Sequence, residues 1–166
     1  MKIIYVDMDG VLCDFTGKYT SRFGMTPSEM RRSGERNSIN ETWKTFVQEG
    51  LFTQLDMLPN AQRLIDYVND LKDVRISILS SSGGFEYYRQ VHDQKIKWLD
   101  SHGINWAPVV VPGRRYKAGF ANKTSAIIDD TPDVIESFNR NSGLGILYTP
   151  DQLDNTINTL NNWLIN

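Results

Sequence analysis

The apolar run Ile3-Ile4-Tyr5-Val6 is closed by Asp7-Met8-Asp9-Gly10, and this junction restricts the fold more than any other feature of the chain. Apolar residues ahead of two carboxylates read as a buried strand that stops abruptly, because unpaired charges do not continue into a core. Gly10 lets the backbone turn directly behind them. A second apolar run, Ala126-Ile127-Ile128, is closed in the same way by Asp129-Asp130. In an open α/β sheet, ligands bind outside the carboxyl ends of the strands. If the two strands are parallel neighbours, up to four carboxylates converge, an arrangement that repels itself unless a cation is held there.

The rest of the chain keeps a regular rhythm. Residues 2–6, 74–79, 108–111, 125–128 and 144–148 read as strands. Helical patterns lie between them at 60–71, 85–102 and 132–139, with a last one near 152–165. Leu64, Ile65, Val68 and Leu71 follow the 3.6-residue period behind Pro59-Asn60, and Leu153, Ile157, Leu160 and Leu164 repeat it. Such alternation implies the α/β class: a three-layer, Rossmann-like parallel sheet with right-handed crossovers. Residues 15–58 break the pattern. They are too many for a simple connection and carry helical patterns of their own near 14–23 and 40–50, around a polar connection at 31–38. The expectation is a core of residues 1–14 and 59–166, with a small helical cap, residues 15–58, inserted after the first strand. Elements inserted beside a site commonly act as lids.

Composition narrows the class. A chain of 166 residues is one domain with room for a real core, and a net charge of −2 argues against stable nucleic-acid binding. The local basic run Gly113-Arg114-Arg115-Tyr116-Lys117 is an exception that reads as a solvated loop. No stretch is apolar enough to span a membrane, and the amino terminus reads as a strand rather than a signal peptide. The single Cys13 can form no internal disulfide, which fits a reducing, cytoplasmic location, and it reads as a small core residue.

Four short motifs fall at strand ends in order: Asp7-Met8-Asp9, Ser80-Ser81, a lysine, and Asp129-Asp130. The set suits phosphoryl transfer through an aspartyl-phosphate. Asp7 is the candidate nucleophile, and Asp9 the candidate acid that protonates the leaving oxygen and later deprotonates water. Ser80 can bond a phosphate oxygen, and a lysine supplies positive charge to the phosphate and to Asp7. Mg2+ on the acidic cluster would let an anionic nucleophile approach an anionic phosphate. Lys117, just behind the strand that ends at Val111, is favoured for the lysine over Lys123, which stands at the start of the next strand and is aimed away from the site.

Blander roles compete at several positions. Asp14 reads better as a helix N-cap than as a site residue. Ser81 is as readily a phosphate contact, through a helix N-terminus, as part of a polar turn. Trp98, Trp106 and Trp163 read as core, and His92 and His102 as surface residues.

Asp7-Met8-Asp9-Gly10-Val11-Leu12, Ser80, the lysine and Asp129-Asp130 resemble the four motifs of the haloacid dehalogenase superfamily. The opening Asp7-Met8-Asp9-Gly10-Val11-Leu12-Cys13-Asp14-Phe15, with Leu58-Pro59-Asn60-Ala61 and Ile127-Ile128-Asp129-Asp130, is similar to one branch, the 5'(3')-deoxyribonucleotidases or cytosolic type C pyrimidine 5'-nucleotidases. The resemblance implies Mg2+ held by the Asp7 carboxylate, the Asp9 backbone carbonyl and a final aspartate. Asp130 is implied as the direct ligand, with Asp129 behind it or sharing the site. It also implies Phe15 and Trp43 as aromatic contacts of the nucleoside, a sensible device because stacking separates nucleotides from simple esters. Ser80 stands where threonine is common. A further cap aromatic of that branch has no equivalent between Arg31 and Asn40.

The implied partner is a small phosphomonoester, a nucleoside monophosphate. A homodimer is compatible with the chain. Two other readings use the same residues: a phosphatase for another small phosphoester or a nucleic-acid 3'-phosphate end, and a non-enzymatic phospho-receiver or binding domain. In a receiver the adjacent acidic pair precedes the phosphorylated aspartate, the reverse of the order here.

Overall fold

A computed structural model describes residues 1–34 and 36–165. Its strands are β1 (Lys2–Val6), β2 (Val74–Ser81), β3 (Ala107–Val111), β4 (Ser125–Asp129) and β5 (Leu144–Leu147). They form a single parallel sheet in the order β3-β2-β1-β4-β5. From β1 the chain winds outward through β2 to β3, then returns to the other side of β1 for β4 and β5. The reversal lies between β1 and β4, where an open α/β sheet leaves a crevice at its carboxyl edge. Every residue of β4 is buried, and so are Ile4, Tyr5 and Val6 of β1. Coverage on both faces explains why these strands read as continuous apolar runs rather than alternating ones.

Four helices follow or link the strands: α4 (Ala61–Asp70), α5 (Tyr88–Ser101), α6 (Pro132–Arg140) and α7 (Leu153–Ile165). The 3.6-residue stripe of α4 buries Leu64, Ile65 and Val68, and α7 buries Leu153 and Leu160. Each such aliphatic side chain contributes about 1.5–3 kcal/mol on leaving water. Among the described residues no helix is long and apolar enough to cross a membrane.

Between β1 and α4 stand α1 (Phe15–Phe23), α2 (Pro27–Arg32), α3 (Arg36–Gln48) and a 3-10 turn at Leu51–Gln54. Asp14 starts α1 as expected, its carboxylate accepting the Gly17 N–H at 2.8 Å. Helix α2 lies where no helix was expected. Six residues are too few to show a period, but its capping box is legible: Thr26 accepts the Glu29 N–H while Glu29 accepts that of Thr26. The polar stretch at 31–38 is not one connection. Arg31 and Arg32 close α2, and α3 begins at Arg36, ahead of the expected start because a polar first turn gives no periodic signal. Glu35 lies outside the described residues.

The outgoing and returning ends of this insertion run side by side, with Asp14 N–H bonded to the Asp56 carbonyl and Leu58 N–H to the Leu12 carbonyl, both at 2.9 Å. Phe46, Val47, Leu51, Phe52 and Leu55 from the insertion share one hydrophobic cluster with Ile4, Val6, Ile78 and Trp98. Trp98 is fully buried, its indole N–H donating to the Leu55 carbonyl at 2.8 Å. That core role matches the sequence reading.

Candidate active site

Register alone brings the two acidic doublets together. Val6 pairs with Ile128, and the Asp7 N–H donates to the Ile128 carbonyl at 3.0 Å, so Asp7 and Asp129 leave adjacent strands side by side. Carboxylate oxygens of Asp7, Asp129 and Asp130 lie within 4.8 Å of one another.

Lys117 stands among them, on a 3-10 segment (Arg114–Phe120) that follows β3. The basic run around it is therefore helical rather than a loop, with Arg114 paired to Asp133 at 2.9 Å. The Lys117 ammonium is 2.9 Å from Asp7 Oδ2 and 2.7 Å from Asp129 Oδ2. Burial favours the neutral amine, but the Asp7 and Asp129 carboxylates overcome it and hold the pKa above its ordinary value. Lys123 is exposed in the turn ahead of β4, at the far end of that strand.

The paired aspartates differ in burial and in partners. Asp129 is fully buried, with Oδ1 accepting the Thr131 N–H at 2.9 Å and Oδ2 accepting Lys117. Asp130 is exposed; its Oδ1 accepts the Thr131 hydroxyl at 3.1 Å, and its Oδ2 lies over Gly10. A β-carbon on Gly10 would sit 2.0 Å from that oxygen, and the residue has φ +81°, so both space and backbone require glycine. Burial and the charge of Asp7 raise Asp129 to about 7, against the opposing pull of Lys117 and the Thr131 amide. Partial burial of its carboxyl, and again Asp7, raise Asp130 to about 6.

Sequence reasoning missed one residue of the candidate site. Lys95 of α5, 1% exposed, donates to Asp9 Oδ2 at 2.5 Å and to Ser80 Oγ at 2.9 Å. A signal existed, because Val91, Lys95, Trp98 and Leu99 form the buried stripe of α5. A lysine inside such a stripe is rarely buried unless it is paired. The same contact locates Ser80. That residue is fully buried, its hydroxyl oxygen accepting from Lys95, while the neighbouring Ser81 lines the cavity. Side chains alternate along β2, so neighbouring serines cannot both face the same way. Ser81 Oγ accepts the Gly83 N–H at 3.1 Å.

Above these groups is a cavity of about 560 Å3 lined by Asp7, Asp9, Ser81, Lys117 and Asp130 from the strand ends, and by Phe15, Arg31 and Trp43 from the insertion. A neighbouring cavity of about 420 Å3 shares Phe15 and Trp43 and extends to Phe85, Glu86 and Tyr87. Phe15 stacks on Phe52 at 5.7 Å, and Trp43 meets Phe15 edge-on at 6.0 Å. The two aromatics selected from the sequence thus form one wall. Cys13 is buried, its thiol pKa raised by burial and by Asp9, whose Oδ1 lies 3.6 Å from Sγ. It is not poised as a nucleophile.

The residues fit a divalent cation. Carboxyls of Asp7, Asp9, Asp129 and Asp130 face the ammonium groups of Lys95 and Lys117, leaving two negative charges when all are ionised. Burial first, and then the charge of Asp7, raise the pKa values of Asp129 and Asp130. Hard, oxygen-only donors suit Mg2+.

Comparison with known proteins bears on the same site. The family described as 5' nucleotidase, deoxy (pyrimidine), cytosolic type C matches residues 1–163. A Chlorobaculum tepidum protein provisionally named 5'(3')-deoxyribonucleotidase is 23% identical over 149 residues, covering 79% of this chain and 70% of that protein. A haloacid dehalogenase-like hydrolase from Streptococcus pneumoniae superposes with a TM-score of 0.56 at 11% identity, over 89% of this chain and 84% of the other. A hydrolase from Pseudomonas syringae gives 0.55 at 15% identity, over 93% and 90%. These structures share the fold.

Proposed function

Because the chain belongs to the cytosolic type C family of 5'-nucleotidases and is thereby a phosphoric monoester hydrolase of the haloacid dehalogenase superfamily, we propose that it hydrolyses nucleoside monophosphates, with preference for deoxyribonucleotides, through an aspartyl-phosphate on Asp7. The observation that carries this reading is Lys117 between Asp7 and Asp129 on the floor of a cavity walled by Phe15 and Trp43. We read residues 15–58 as a cap over that floor. The cavity suits a mononucleotide rather than the end of a polymer.

Mg2+ is the proposed metal, held by Asp7, Asp130 and the Asp9 backbone carbonyl, with Asp129 supporting from behind. Bound there, it supplies positive charge that offsets the repulsion between Asp7 and the phosphate dianion. The Asp7 carboxylate attacks phosphorus in line with the leaving oxygen. Lys117 holds that carboxylate and attracts the phosphate. The Ser81 hydroxyl, its oxygen already accepting Gly83, has its proton free for a phosphate oxygen. Asp9 gives a proton to the nucleoside oxygen as the P–O bond breaks, then takes one from water as water attacks the phosphoenzyme and releases Asp7. Phe15 and Trp43 stack the base and exclude bulk water. A cytoplasmic location accords with the family's description and the single cysteine.

A panel of nucleoside and sugar monophosphates assayed with Mg2+ tests this reading. Nucleotides turned over in preference to sugar phosphates is the expected result. The reverse preference overturns the substrate, and no turnover of any phosphomonoester overturns the enzyme.

A further inference from the structure

Lys95 belongs to none of the four motifs and lines neither cavity. Yet it is one of the most completely buried side chains in the protein, and its ammonium ends beside Asp9. An unpaired charge at that depth is heavily penalised, so its partners fix where it sits. Ser80 Oγ takes one N–H at 2.9 Å, and the Phe52 ring lies beneath the ammonium at 4.9 Å from its centroid. The backbone of α5 is equally constrained. Gln94 donates to the Val47 carbonyl at 2.8 Å and accepts the Phe52 N–H at 3.3 Å, and Trp98 bonds Leu55 one turn on. Lys95 is therefore a fixed point on which Asp9 is hung, separate from the Lys117 that serves Asp7 and Asp129.

The two Asp9 oxygens are thereby made different. Oδ2 carries the ion pair with Lys95, while Oδ1 meets the weakly donating Cys13 thiol at 3.6 Å. A carboxyl with one oxygen engaged by an ammonium places its transferable proton on the other. We infer that Lys95, tethered by Ser80 and Phe52, is a positioning residue for the reaction, holding Asp9 by Oδ2 so that Oδ1 is the atom that protonates the leaving oxygen and later accepts the proton of water. The inference rests on the proposed acid–base role of Asp9. In the first step Asp7 forms a bond to phosphorus, the P–O bond to the nucleoside breaks, and the Oδ1 proton goes to that oxygen. In the second, water oxygen bonds to phosphorus, its proton goes to Oδ1, and the bond between phosphorus and Asp7 breaks.

The test compares a nucleoside 5'-monophosphate, whose alkoxide needs a proton to leave, with p-nitrophenyl phosphate, whose phenolate does not. Lys95→Met keeps the side-chain length without the charge. It should lower kcat on the nucleotide by about 10²-fold, within the usual span of acid–base help, with little change in KM. On p-nitrophenyl phosphate it should give a first-turnover burst of p-nitrophenolate followed by a slow steady rate, because water attack still needs Asp9. Lys95→Arg should restore most of kcat. Equal losses on both substrates without a burst would overturn the inference and leave Lys95 a structural ion pair.

Should Lys95→Met fail to fold, the double variant Asp9→Asn/Lys95→Met removes both charges and is compared with Asp9→Asn alone. A residue acting through Asp9 adds no further loss in kcat there; an additional tenfold loss overturns the inference. If Asp9→Asn alone neither slows nucleotide hydrolysis nor produces the burst, the acid–base reading itself has failed, a result distinct from failure of Lys95.

Discussion

Trp43 lies against Gly83 so closely that a β-carbon on the glycine would sit 2.6 Å from the indole Cζ2. This contact joins the insertion to the loop that follows β2, and both residues line the two cavities. Gly83 also has φ +78°, a conformation costing other residues about 1–2 kcal/mol. Gly83→Ala should therefore push Trp43 away from the floor of the site. A rise in KM for a nucleoside monophosphate of about tenfold is expected, with a lower melting temperature. Unchanged KM would show that this contact does not shape the binding wall.

Trp43→Ala removes the wall itself while sparing the strand ends. Stacking on an aromatic side chain is worth about 1–3 kcal/mol per base, so kcat/KM for a nucleotide should fall by roughly 5- to 150-fold. Hydrolysis of β-glycerophosphate, which has no base, should be nearly unaffected. Parallel losses on both substrates would refute Trp43 as a base platform.

Asp7→Asn removes the attacking charge and a candidate metal ligand together, and no turnover should be measurable. Asp9→Asn should retain a rate about 10²–10⁴-fold below the parent, because acid–base help accelerates a reaction that can proceed slowly without it. Steady-state assays of both variants separate the roles. An Asp7 variant more active than the Asp9 variant would reverse the assignment.

Lys117→Met strands Asp7 and Asp129 in a buried setting without their shared cation. Loss of one partner of such a pair costs about 3–5 kcal/mol. Denaturant unfolding should show a loss of this order together with loss of activity. Lys123→Met, at an exposed position, should change neither.

Protonation of Asp129 and Asp130 would compete with the proposed metal. Their pKa values of about 7 and about 6 lie above the ordinary 3.8. Between about pH 4 and about pH 7 the folded, metal-free chain thus binds more protons than the unfolded chain. Stability from these groups is fully present below that window and is lost as the pH rises through it. The melting temperature of chelator-treated protein should fall from about pH 5 to about pH 7.5, and Mg2+ should raise it more at the higher pH. An equal or larger Mg2+ shift at about pH 5 would contradict this account.

What the sequence determined by itself was whatever a single element carries. Buried parallel strands must be apolar and must stop where charges begin, so Asp7 and Asp129 announced both the sheet and its edge. Asp14 declared a helix start through a bond to Gly17, three residues on. A place just behind the third strand favoured Lys117, which meets Asp129 in the structure. Tertiary structure alone decided the relations between elements. Lys95 reaches Asp9 across 86 residues and meets Ser80 on the same buried side. The seating of Trp43 on Gly83 arises in the same way. Local patterns encode which face of an element is buried; which charges and rings then meet depends on register and packing between elements far apart in the chain.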